Sequence, residues 1–312
     1  MTLPPERALD GPVACARREI ARLSLEGGEC MRRGDFAAAR ALYASALDEA
    51  RAQGLRDDTD RAELNLAMAL LECGEIKTAE EGLREIHLRA SDPRVAFTAA
   101  YHLASSLRRQ GRYDQASRYA ARALERAEIL GDADALAPIH NLLGNLLLAR
   151  SYPVDAMREY DIALRRRESQ VGDTRWSRAL LLDNIGYCLV LQGRTEEGLE
   201  KIRIALALAE EIGDRRCAAE CHQDLCYALL LTDDLVEAEA HGRAALDDAL
   251  RHGYADVEEN CHYMLGEIGS RTGDFESRNA HFDALQRDHP ELPFLREFLC
   301  SVDVTGMITL KR

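Results

Sequence analysis

Aromatic residues make up only 5% of this 312-residue chain, and it has just 8 prolines. A sheet protein would draw more heavily on aromatic and β-branched side chains, so the shortage argues against strands. A basic excess is also lacking. The formal net charge is −14, which argues against binding nucleic acid by neutralising phosphates. Basic pairs and triplets such as Arg32-Arg33, Arg108-Arg109, Arg165-Arg166-Arg167 and Arg215-Arg216 read as solvated arginines near helix C-termini, where they complement the dipole. No apolar run approaches the ~20 residues that cross a bilayer. The first twelve residues carry three prolines and three charges instead of a signal-like apolar stretch. The expectation is a soluble, cytoplasmic protein that binds neither nucleic acid nor membrane.

Catalytic signatures are missing as well. There is no GxxxxGK[ST], GxSxG or HExxH motif and no dinucleotide fingerprint. Carboxylate neighbours such as Asp57-Asp58, Asp233-Asp234 and Asp247-Asp248 do not face each other across a pocket. The reading is of a non-enzyme without cofactor. Nine scattered cysteines read as reduced packing residues of a cytosolic protein. Cys217, Cys221, His222, Cys226, His241, His252, Cys261 and His262 crowd one region, yet none forms the close CxxC or HxxxH pairs that zinc favours, so no metal is assigned. His140, His222 and His262 hold matched positions. They read as packing residues, and the alternative is a group that titrates together near pH 6. Trp176 reads as packing at a seam between repeats.

What the chain does have is Ala, Leu, Arg and Glu in a recurring order. Turn positions fall at Gly34, Gly74, Gly111, Ser151, Gly193, Asp233 and Gly273, separated by 40, 37, 40, 42, 40 and 40 residues. Seven residues before each turn stands a small residue: Gly27, Ala67, Ala104, Gly144, Gly186, Cys226 and Gly266. Five after it stand Ala39, Ala79, Ala116, Ala156, Gly198 and Ala238, lapsing at Arg278. Twelve after it stand Ala46, Ala123, Ala163, Ala205 and Ala245, with Ile86 and Leu285 as exceptions. Small residues at fixed points on two successive helices let their axes approach closely. A turn glycine suits the left-handed residue that ends a helix, with Ser151 and Asp233 standing in where glycine is absent.

This pattern over residues 17–287 resembles the tetratricopeptide repeat family, in its long-period form of about forty residues, as in kinesin light chain and Pins-type adaptors. The resemblance implies an all-α, α-α superhelix of about seven helix pairs. Residues 1–16 read as a frayed N-terminus. Residues 288–312 read as a short capping helix and an extended tail. The resemblance also implies an adaptor or scaffold that binds a protein or peptide on its concave face, lined by the first helix of each pair. Positions ten, six and three before each turn share one helical face. They supply Tyr101, Arg108, Asn141, Asn145, Asp183, Tyr187, Gln223, Tyr227, Tyr263 and Glu267, with Ser105, Leu148, Val190, Leu230 and Ser270 beside them. Amides can bond a ligand's main chain, and tyrosines give area with few rotamers to fix. Two alternatives remain open: a regulatory sensor of a signal peptide or signalling protein, and a homo-oligomerisation module that swaps its C-terminal tail.

Overall fold

The computed structural model describes residues 11–131, 133–169, 172–308, 310 and 311. Its described residues form fifteen α-helices and one 3-10 turn, with no strand. Two compact units divide near residue 132. The first holds α1 (Pro12–Arg32), α2 (Phe36–Ala52), α3 (Arg56–Glu72), α4 (Ile76–Arg89), α5 (Pro93–Arg109) and α6 (Tyr113–Leu130). The second holds α7 (Ala133–Ala149), α8 (Pro153–Glu168), α9 (Arg175–Leu191), α10 (Thr195–Ile212), α11 (Arg215–Leu231), α12 (Leu235–His252), α13 (Ala255–Thr272), α14 (Phe275–Asp288) and α15 (Leu295–Leu299), followed by the 3-10 turn Thr305–Met307.

Every expected turn residue has positive φ, including the two that are not glycine, Ser151 at 64° and Asp233 at 62°. In six of the seven turns the next residue donates its N–H to the carbonyl five residues back, as Asp35 does to Cys30 at 2.9 Å and Arg194 to Leu189 at 3.0 Å. That bond closes the end of the first helix. The second helix then starts on a cap where the sequence has Asp: Asp35, Asp234 and Asp274 accept the N–H of Ala38, Glu237 and Ser277. Pro153 begins α8, where no N–H is needed.

The small residues before and after the turns are buried, apart from the lapse at Arg278. Residues at the first small site face a partner sixteen positions on, and the two sizes trade off. A Cβ added to Gly27, Gly144 or Gly266 would meet the ring of Tyr43, Tyr160 or Phe282 at 2.6, 2.5 and 2.2 Å. Gly186 accommodates Ile202 in the same way. Glycine on one helix thus makes room for a large side chain on the other, which keeps the interior at close-packed density. Within the second unit, one apolar cluster runs from Leu148 to Leu310. A separate cluster joins Phe282 and Leu285 of α14 to Leu299 of α15 and to Val304 beyond it. Trp176, the second residue of α9, departs from expectation: it is 56% exposed.

Candidate functional site

The expected lane residues fall into distinct environments. Tyr101 and Arg108 lie on α5 in the first unit, both half-buried. Tyr101 packs beside Phe97 and edge-on to His102, with ring centroids 6.1 and 5.3 Å apart. On α7, Asn145 Oδ1 accepts the Tyr160 hydroxyl at 2.7 Å, so its side chain turns to its own repeat. Asn141 Oδ1 accepts from Asn184 Nδ2 at 3.3 Å, linking α7 to α9. Further along, Asp183, Tyr187, Gln223, Tyr227 and Glu267 are all buried, and Tyr263 is half-buried. The chain's own C-terminal segment reaches Asp183, Tyr187 and Glu267, while Gln223 Oε1 accepts from Asn260 at 3.0 Å.

That segment is held at two places. Nearer α15, Glu267 Oε2 accepts the Val304 N–H at 3.2 Å. Arg271, paired with Glu267 at 2.9 Å, reaches the Thr305 hydroxyl at 2.7 Å and the Leu230 carbonyl at 3.1 Å. After the 3-10 turn, Ile308 and Leu310 are buried in the cluster that includes Tyr187, Val190, Tyr227 and Leu230. The Leu310 N–H is directed at the Tyr187 hydroxyl, 3.4 Å away. Finally the Lys311 ammonium enters a socket of three oxygens: Asp183 Oδ2, Asn184 Oδ1 at 2.9 Å and Asp224 Oδ2 at 3.0 Å. The ammonium donates to Asp183 Oδ2 and Asn184 Oδ1 and forms an ion pair with Asp224 Oδ2.

The charges balance through this contact. Burial works against a charged Lys311, but Asp183, Asp224 and Glu220 outweigh it and hold its pKa well above the ordinary lysine value. Burial, and then the neighbouring Asp183 charge, push the Asp224 carboxyl up. Burial likewise raises Glu220, which also pairs with Arg216 at 2.6 Å. Tyr187 is pushed beyond the usual tyrosine range, first by burial and then by Asp224. It serves as a neutral hydrogen-bonding group.

Asp224, Asn184, Lys311, Arg271 and Thr305 were not singled out from the sequence. Asn184 and Asp224 both stand nine residues before their turns, one place from the lane and one from the core leucine or isoleucine. Equivalent polar residues beside a core position were the available signal.

The cysteine and histidine cluster resolves into packing. Burial pushes the Cys188 and Cys226 thiols up to about 12 and raises Cys261. A hydrogen bond with Cys217, with burial added, raises Cys221. Thiols held this way are poor nucleophiles and poor ligands. The matched histidines each meet the residue nineteen positions on. His140 Nδ1 contacts Glu159 at 2.7 Å, His222 meets His241 at 2.8 Å, and His262 meets His281 at 2.9 Å, Nδ1 to Nδ1. One ring of each histidine pair must donate and the other accept, which requires that they not both be protonated. Among the described residues no group of three or more His, Cys, Asp or Glu side chains converges as a metal site, and no helix is long and apolar enough to cross a membrane.

The sequence model of the tetratricopeptide repeat matches residues 95–169. No curated protein matches the chain. Among solved structures, similar folds include a signal-transduction ATPase with a tetratricopeptide repeat sensor from Pyrococcus horikoshii, at 15% identity and TM-score 0.66 over 96% of this chain and 49% of that one. The chain therefore spans about half the length of that protein. The apo form of RapI is similar at 12% identity and TM-score 0.64, over 93% of this chain and 84% of that one. A Rap protein complexed with Competence and Sporulation Factor is similar at 16% and 0.67, over 93% and 79%. The tetratricopeptide repeat is matched at residues 95–169, and the repeating helix pair of the whole chain has a fold similar to that of tetratricopeptide-repeat proteins.

Proposed function

We propose that the protein is an interaction adaptor whose first-helix lane on α9, α11 and α13 binds an extended segment of a protein or peptide. One observation carries this reading: the chain's own C-terminal segment already lies there, with Ile308 and Leu310 buried and the Lys311 cation between two carboxylates. The lane thus offers what a peptide site needs, apolar area, main-chain hydrogen-bond partners and a charged anchor. Architecture alone does not specify a ligand. The neighbours are consistent with the reading, since one is described as a tetratricopeptide repeat sensor and another as a Rap protein complexed with Competence and Sporulation Factor. Lane residues Asp183, Tyr187, Gln223, Tyr227, Tyr263 and Glu267 are the proposed contacts. Asn141 and Asn145 extend the proposal to α7 of the same unit, and Tyr101 and Arg108 on α5 are proposed contacts of the first unit taken by itself.

The test empties the lane in the full chain by replacing Ile308 and Lys311 with Ser, then titrates a fluorescent peptide carrying the sequence of residues 302–312. Saturable binding that Asp224→Asn abolishes supports the reading. A variant that keeps its helical circular dichroism and binds no peptide at millimolar concentration overturns it.

A further inference from the structure

We propose that the C-terminal segment that ends in Ile308, Leu310 and Lys311 is a built-in competitor that keeps the lane closed, and that the lane opens to partners presenting a lysine preceded by apolar residues one and three positions earlier. The inference rests on the reading above, and it adds the ligand chemistry and the regulation. It is carried by the spacing of what the lane holds. Leu310 and Ile308 sit one and three residues before Lys311, both are buried, and Lys311 bridges Asp183 and Asn184 on α9 to Asp224 on α11.

The socket is built for a compact cation. Asp183 and Asp224 are 1% and 0% exposed, and two carboxylates so placed require a positive group between them. Three oxygens converging on one nitrogen suit an ammonium. A planar guanidinium spreads its donors in a fork and fits such a point poorly. A partner's arginine is therefore a weaker occupant than its lysine.

The two anchors differ in kind, which is what makes opening feasible. The Glu267–Arg271 anchor grips the backbone and side chains of residues 303–305, next to the α15 cap. The Lys311 anchor lies beyond the 3-10 turn and depends on one side chain, the apolar contacts before it and the Leu310 N–H directed at Tyr187. Its release exposes the socket while the first anchor still ties the segment to α13. A segment tethered this closely acts at an effective concentration of order millimolar. A free peptide must outcompete it, so its apparent affinity falls by the fraction of chains that are open.

The sequence provides a clean readout, because it has only three lysines, Lys77, Lys201 and Lys311. A short pulse of an amine-reactive ester on the unmodified chain, resolved by mass spectrometry, should label exposed Lys77 about tenfold or more faster than Lys311. The peptide titration should show the unmodified chain binding about tenfold or more weakly than the Ile308→Ser, Lys311→Ser chain. In that emptied chain, replacing the peptide's lysine by norleucine should lose about tenfold to a hundredfold, with arginine in between. Equal peptide affinity for the closed and emptied chains overturns the competitor while leaving the binding site standing. Absence of binding to a folded emptied chain removes both. Equal affinity of lysine and norleucine peptides overturns the cation socket. Lys311 protection that vanishes on dilution assigns the segment to a second copy and overturns the intramolecular form. Lys311→Ala, which removes one charge and keeps the apolar contacts, provides the same comparison should the double variant unfold.

Discussion

Gly266 lies directly beneath Phe282: a Cβ on the glycine would stand 2.2 Å from the ring's Cε1. The ring is fully buried and cannot swing aside without opening the contact with α15. Gly266→Ala gains about 1 kcal/mol of helix propensity but overpacks the contact, at a cost of about 1–3 kcal/mol. The expected outcome is net destabilisation of about 1–2 kcal/mol. The second repeat supplies the remedy in its own sequence, since Ala67 and Leu83 occupy the corresponding positions. Adding Phe282→Leu to Gly266→Ala should therefore cost less than the two single changes summed, measured as a double-mutant cycle by urea unfolding. Strict additivity would show that the two sites do not share this space.

Much of this packing could be read directly from spacing. The turn and the small site before it recur seven times, and the later small sites nearly as often, because a similar local contact is made in each repeat and a repeated contact leaves a repeated signal. Ser151 and Asp233 were legible as turn residues only because their neighbours held glycine at that place. The lane was legible as a face, since i, i+4, i+7 geometry is local. Its occupant was not. Lys311 meets Asp183 across 128 positions of sequence, and no periodicity connects an end segment that occurs once to helices in the fifth and sixth repeats. The histidine partners fell between these cases. His222 and His262 stood out by their matched positions, while His241 and His281, nineteen residues on, gained meaning only when α11 packed on α12 and α13 on α14.

Ser151 holds a left-handed conformation, φ 64°, without being glycine. That conformation costs an L-residue with a Cβ about 1–2 kcal/mol, and glycine would lose part of the gain to its freer unfolded chain. Ser151→Gly is expected to stabilise the protein by about 0.5–1 kcal/mol. The check is the urea midpoint at unchanged m-value; a lower midpoint would show that the serine contributes something beyond the turn.

The histidine pairs set a direction for acid sensitivity. Burial lowers the pKa of His222, His241, His262 and His281, the last to about 4 and with the His262 charge adding to the effect. A histidine depressed in the folded state is neutral there while its unfolded counterpart takes up a proton below about 6.5. Its contribution to stability is complete above that pH and declines as the pH falls toward the folded value, by about 1.4 kcal/mol per pH unit for each proton taken up. Unfolding free energies should fall between pH 6.5 and 5, and His281→Gln should flatten that slope. An unchanged slope in the variant would assign the acid loss to other groups.

Replacing Lys311 with Met tests how the socket disposes of its charge. Were the segment to stay in place, two buried carboxylates without their cation would cost about 3–5 kcal/mol. The segment has a cheaper course, because it can lift away and let water reach Asp183 and Asp224. The loss is then capped by the docking free energy of the segment itself, chiefly the burial of Ile308 and Leu310 less the entropy of ordering the chain, so about 1–2 kcal/mol is expected. Asp224 gives this loss a pH dependence. Its carboxyl is already raised in the folded state, first by burial and then by Asp183, with Lys311 acting to lower it. A raised carboxyl contributes fully below its unfolded pKa, and that contribution is lost as pH rises through the folded value. In the variant the lifted segment leaves Asp224 hydrated, so its carboxyl returns toward its ordinary value and this loss belongs to the unmodified chain alone. The gap between unmodified chain and Lys311→Met should therefore be narrower at pH 8 than at pH 5 in urea unfolding. A gap wider at pH 8 would mean that the segment stays docked over two carboxylates that lack their cation, and an equal gap that the carboxylates are hydrated already.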